Sequence, residues 1–76
     1  MSQVEIEYCV ECGLLPKAEE TEHAVLEAYG NKVDGLTFKP GHGGVFKVSI
    51  DGEPVYDKSD EGYDLNSIVE RVGARL

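Results

Sequence analysis

Two cysteines, Cys9 and Cys12, are the residues of this chain best suited to chemistry. Dithiol exchange needs one thiolate to attack a disulfide sulfur and a second thiol to resolve the mixed disulfide. Two intervening residues let the sulfurs meet across one turn. A Cys-x-x-Cys pair between a strand and a helix of a cytosolic protein is therefore a redox signature. A helix start behind the pair adds partial positive charge and free N–H groups, both of which favour thiolate. Glu11, between the cysteines, pulls the other way, because a neighbouring carboxylate raises a thiol pKa. Cys12 stands nearer the expected helix start and gains more from its dipole. Cys9 precedes the turn and, in the usual dithiol arrangement, is the exposed member. Position leaves the choice of attacker open.

Other chemistries fit less well. A bridge over so short a loop restricts the unfolded chain little, so a structural staple is a poor explanation of the pair. Structural zinc wants four ligands, and the only other soft donors, His23 and His42, lie 19 positions apart. A third reading is an interaction module in which the thiols act as a switch without turnover. His42 reads as a solvent-facing loop residue or as a proton donor or acceptor beside the thiols. Lys58 and Tyr63 read as surface residues or as part of a partner-docking rim, with Val10, Glu11, Gly13, His42 and Gly43 completing the candidate partner-binding set. Tyr8 reads as core. Gly43 and Gly44 permit tight backbone, and with no helix directly behind them they indicate phosphate binding only weakly.

The elements that must position these residues are legible from periodicity. Val4, Ile6 and Tyr8 alternate with Glu5 and Glu7, the pattern of a strand with one buried face. After the cysteine turn, Pro16 suits the first turn of a helix. Leu14, Leu15, Ala18, Val25, Leu26 and Tyr29 are expected on its inner side and Glu19, Glu20 and Glu27 away from it. Gly30-Asn31 should end it with residues that tolerate positive φ. Residues 33–39 form a second strand, and Lys39 to Gly44 a loop rich in chain breakers. Val45 to Ile50 alternates again, Asp51-Gly52 is a hairpin signal, and Glu53 to Tyr56 returns, with Pro54 indicating an edge. Asp57 to Tyr63 is a polar loop. Asp64 caps a last helix with Leu65, Ile68, Val69, Val72 and Leu76 inward, and Arg71 and Arg75 near its C-terminus.

The order is thus β-α-β-β-β-α. The first crossover should make strands one and two parallel, and strands three and four form a hairpin. Both helices should cover one side of a four-stranded mixed sheet, because strands one and three keep a wet face. Following the strand ends, three loops meet at one edge: the cysteine turn, the glycine-rich loop and the segment from Lys58 to Tyr63. Sites of open α/β sheets favour such edges.

Fifteen acidic residues against seven basic ones give a formal charge of −8. That balance excludes the basic stripe of a nucleic-acid binder and argues against anionic membranes. It suits solubility, or a high-salt cytoplasm in which repulsion is screened. The N-terminus lacks a positively charged region and a long apolar stretch, so no secretory leader is expected. The expectation is one domain over residues 1–76, cytoplasmic and monomeric. It would use no cofactor, and its partners would be protein thiols and disulfides or glutathione.

The stretch from Val4 to Lys17, with Tyr8-Cys9-Val10-Glu11-Cys12-Gly13 at its centre, resembles the N-terminal motif of the selenoprotein W group. That group sits in the Rdx family with selenoproteins T and H as relatives. Gly43 to Gly52 is similar to the family's Gly-x-Phe-x-Val strand and hairpin, and Lys58 to Asp64 to its polar Gly-Tyr loop. The three segments cover most of the chain, in order. The resemblance implies a thioredoxin-like β-α-β-β-β-α fold and thiol-based redox work with a poorly defined physiological partner. Family members with selenocysteine carry it at the second redox position, where Cys12 stands here, so the resemblance implies Cys12 as nucleophile and Cys9 as resolver. Cysteine at that position implies a slower nucleophile with a higher pKa. Pro40-Gly41-His42 matches no hallmark of the family.

Overall fold

The computed structural model describes residues 2–58 and 62–76. Among these, four strands and two helices follow one another as β1 (Gln3–Cys9), α1 (Leu15–Tyr29), β2 (Gly35–Gly41), β3 (Phe46–Ile50), β4 (Glu53–Asp57) and α2 (Leu65–Arg75). The sheet order is β2-β1-β3-β4. β1 pairs parallel with β2, β1 antiparallel with β3, and β3 antiparallel with β4.

The alternation of β1 becomes burial: Val4 and Ile6 face the core while Glu5 is exposed. Their antiparallel partners Ile50 and Val48 are buried on the same face, as is Tyr56 opposite Val48. Ala18 and Val25 of α1 and Ile68 and Val72 of α2 close over these residues in one continuous cluster, so both helices lie on one side of the sheet. Asp51 and Gly52, with φ of 53° and 85°, make the tight turn from β3 to β4. The Asp64 carboxylate accepts from the backbone N–H groups of Asn66 and Ser67, the N-cap expected for α2.

Several local expectations are corrected. The inner stripe of α1 runs through Leu14, Ala18, Thr21 and Val25, whereas Leu15 and Leu26 are 42% and 41% exposed. Leu14 precedes the helix and fixes its phase, and steps of four, three and four residues from it land on Ala18, Thr21 and Val25 rather than on either leucine. Thr21 is tolerated there because its hydroxyl donates to the Lys17 carbonyl at 2.8 Å. Gly30 keeps right-handed backbone, with φ −51°, instead of a left-handed cap. The second strand runs through Gly35–Gly41 rather than ending at Lys39. Among the described residues it is an edge strand paired only with β1. Gly41 directs its carbonyl to the Val10 N–H at 3.2 Å, so alternation turns Pro40 outward, where its missing N–H breaks no ladder bond.

Candidate functional site

The cysteine turn is built from backbone. Cys9 ends β1 opposite Gly41 of β2. Its N–H donates to the Val45 carbonyl at 2.7 Å, and the next N–H, of Val10, donates to Gly41. The turn is thus pinned at once to the end of β2 and to the segment entering β3. Within it, the Gly13 N–H donates to the Val10 carbonyl at 3.2 Å and the Leu14 N–H to the Cys9 carbonyl at 3.3 Å. Gly13 adopts φ 71°, left-handed backbone that favours glycine, and this reversal sends the chain from strand into helix. Gly41 answers a different constraint. A Cβ there would stand 2.6 Å from Val45 Cγ1 and 3.0 Å from Glu7 Oε2, so only glycine lets β2 end this close to the cysteine turn.

Cys9 and Cys12 are joined in a disulfide, with Cα atoms 5.4 Å apart. Their surroundings differ sharply. Cys9 has no exposed surface and belongs to the core cluster, whereas Cys12 is exposed. This reverses the expectation that Cys9 is the exposed member: Cys9 is the last residue of a strand in the sheet interior, and the chain leaves the core only after it. Leu14 is the helix cap and offers no side-chain hydrogen bond to the first turn of α1.

Glu11 and His42 meet. His42 Nδ1 lies 2.8 Å from Glu11 Oε1, and both side chains are largely exposed. The glycine-rich loop therefore touches the cysteine turn through a side chain as well as through Gly41 and Val45. Val10 is 52% exposed, next to the buried Cys9. Gly43 is exposed, with φ 74°, one residue beyond His42. Together Val10, Glu11, Gly13, His42 and Gly43 gather around the cysteine edge, the convergence read from strand direction.

Tyr63 and Lys58 belong to the third segment, of which residues 59–61 lie outside the described structure. The Lys58 carbonyl accepts from Gly62 N–H at 2.7 Å. Tyr63 is half-buried and engaged within the molecule. Its ring meets Phe46 edge-on at 5.5 Å, Lys17 Nζ sits 4.5 Å from its centroid, and its hydroxyl donates to Glu20 at 3.0 Å and lies 3.4 Å from Thr21 Oγ1. Lys17, Glu20 and Thr21 were not singled out from sequence. Counting the helix phase from Leu14 places Thr21 inward, but nothing local announces a tyrosine 42 residues later as its neighbour. Tyr56 ties the same segment down, donating to the Gly62 carbonyl and accepting from the Asp64 N–H at 2.9 Å.

Burial raises the Tyr63 pKa above the usual tyrosine value, the Thr21 hydrogen bond opposes the rise, and Glu20 and Tyr56 add to it. A raised folded value means that the fold favours the neutral phenol. Its contribution is complete below the ordinary tyrosine range and is lost as pH rises through the folded value. The wild-type chain is therefore expected to lose more stability than Tyr63→Phe between pH 9 and pH 11.5, by about 1 kcal/mol or less for a group only partly buried. Urea melts with tyrosinate absorbance recorded in parallel check this, and equal losses in both chains would refute it.

Among the described residues, no group of three or more His, Cys, Asp and Glu side chains is arranged to hold a metal ion. His23, the other candidate donor, pairs with Glu27 one turn along α1 at 2.8 Å. No helix of the described residues is long and apolar enough to cross a membrane.

With this geometry in view, comparisons with known proteins are specific. The Rdx family model matches residues 3–74. A crystal structure of a protein from Bordetella parapertussis superposes with a TM-score of 0.91 at 27% identity, covering 99% of this chain and 98% of that one. A crystal structure of a selenoprotein W-related protein from Vibrio cholerae superposes with a TM-score of 0.89 at 21% identity, covering 97% and 95%. No curated protein sequence matched.

Proposed function

This chain belongs to the Rdx family, and from that premise we propose that it carries out thiol–disulfide exchange, with Cys12 attacking and Cys9 resolving. The observation that carries the reading is the asymmetry of the pair: an exposed sulfur-bearing residue bonded to one with no exposed surface, on a strand-to-helix turn. The Cys12 thiolate attacks one sulfur of a substrate disulfide. One bond forms between Cys12 and that sulfur, and the other half leaves as a thiolate and takes a proton. Cys9, having given up its proton, then attacks the Cys12 sulfur, reforms the Cys9–Cys12 bond and releases the second half. The substrate gains two electrons and two protons, and the chain loses the same. The reverse sequence oxidises a dithiol.

Access supports this division of labour. A substrate disulfide needs an approach along the axis of its own bond, which an exposed residue on a turn permits and a core residue does not. The resolving attack is intramolecular and needs only the contact already present in the bonded state.

Mixed-disulfide capture tests the assignment. The resolving residue is best replaced by alanine, because serine at a position with no exposed surface would bury a hydroxyl at a cost of about 1–3 kcal/mol. Reduced Cys9→Ala protein incubated with bis(2-hydroxyethyl) disulfide is expected to accumulate one stable adduct on Cys12, read by peptide mass spectrometry. Wild type should pass through the adduct to the intramolecular disulfide. Absence of any adduct in Cys9→Ala would overturn the role of Cys12.

A further inference from the structure

We propose that the site selects cationic disulfides, such as those flanked by lysine or arginine in a polypeptide, over anionic ones such as oxidised glutathione. This inference rests on the exchange reading above and adds the class of substrate.

The charges around Cys12 carry it. Glu11 is the immediate chain neighbour of the exposed cysteine and is itself largely exposed, with a side-chain exposure of 72%. Among the described residues its side-chain partner is His42, a histidine and not a lysine or arginine. Several other charges toward this edge have partners of their own. Glu7, beside Gly41, is flanked in register by Lys39 on β2 and Lys47 on β3. Lys17, in the first turn of α1, is held over the Tyr63 ring, and Glu20 accepts from the Tyr63 hydroxyl. Glu11 is the charge next to Cys12 in the chain, and the formal charge of −8 over 76 residues extends its sign to the approach path. Such fields change association rates by about 10–10³-fold at low ionic strength and fade as salt shortens the Debye length to about 3 Å at 1 M.

The chemistry makes the bias act where it matters. In the first step a thiolate meets a disulfide sulfur, and negative charge spreads over three sulfurs. A substrate carrying ammonium or guanidinium groups offsets both that charge and the Glu11 carboxylate. A substrate carrying extra carboxylates brings a third anion to the same turn. The exposed Val10 and Leu15, 52% and 42% exposed, border the same turn and give a polypeptide apolar surface to lie on.

The experiment uses three small disulfides of different charge. They are cystamine (cationic), bis(2-hydroxyethyl) disulfide (neutral) and oxidised glutathione (anionic). Stopped-flow rates with the reduced full chain at pH 8 are each divided by the rate of dithiothreitol with the same disulfide, which removes differences in intrinsic reactivity. At 20 mM salt the normalised rate for cystamine is expected to exceed that for glutathione by about tenfold or more. The ratio should shrink towards one at 1 M salt. Glu11→Gln should lower the ratio about two- to threefold at low salt, as expected for removing one nearby charge in a high-dielectric setting. Equal normalised rates at low salt, or a ratio that Glu11→Gln and salt leave unmoved, would overturn the selectivity while leaving the exchange reading standing. No reaction with the neutral disulfide would overturn the exchange reading and this inference with it.

Discussion

Phe46→Ala is expected to destabilise the chain by about 3–5 kcal/mol, the usual cost of removing a buried aromatic ring. Phe46 is the largest side chain without exposed surface. It pairs with Tyr8 across the sheet, and its ring makes a T-shaped contact with Tyr63. A domain of 76 residues has about 4–11 kcal/mol in total, at roughly 0.05–0.15 kcal/mol per residue, so this one truncation removes much of the margin. The damage should also reach the site, because the residue before Phe46 is Val45, whose carbonyl holds the Cys9 N–H. Urea unfolding followed by far-ultraviolet circular dichroism measures the loss. Phe46→Leu, which keeps most of the volume, is expected to cost under about 1.5 kcal/mol. A loss below about 1 kcal/mol in Phe46→Ala would mean that the ring is not the keystone its burial indicates.

The features read correctly from the sequence are those in which a short segment carries its own answer. β1 alternates over five residues, Asp51-Gly52 supplies the only turn that fits between two alternating runs, and Asp64 caps the helix that follows it within three residues. Chain direction then delivers the convergence of loops, because parallel β1 and β2 must end at one edge. The features that escaped depend on partners far away in the chain. Leu15 and Leu26 are as apolar as any core residue, and only the contact of Leu14 with the core sets the helix phase that leaves them outside. Pro40 reads as a breaker, and it becomes a strand residue because β2 lies at the edge of the sheet, with no strand on its outer side among the described residues. Glu11 and His42, 31 residues apart, meet through the register that places Gly41 opposite Cys9. Periodicity cannot see that pair, although both residues were candidates. The burial of Cys9 is what periodicity misses: alternation in β1 puts it on the side of Glu5 and Glu7, and it is covered because the end of the strand joins the core cluster out of phase.

Cys12→Ser is expected to reduce disulfide-reductase turnover to the uncatalysed background while leaving the fold in place. A hydroxyl is far less acidic than a thiol, so at neutral pH the variant offers no nucleophile at the reachable position. Cys9 cannot substitute for it. With no exposed surface, it reaches an external disulfide only when β1 and the helix start separate, and that opening carries a free-energy cost of its own. The fold should tolerate the change, since Cys12 is exposed and a serine there meets water. What is lost structurally is the bridge, and chain entropy bounds its contribution at about 2 kcal/mol for so short a loop. Cys12→Ser, Cys9→Ala and the dithiothreitol-reduced wild type should therefore all remain folded, and their unfolding midpoints separate redox defects from structural ones. Turnover above background in Cys12→Ser, with an adduct on Cys9, would show that the covered thiol attacks first. The site would then have to work through a conformation in which β1 releases its last residue, and Val10, its exposed neighbour, would be the hinge to examine by hydrogen exchange.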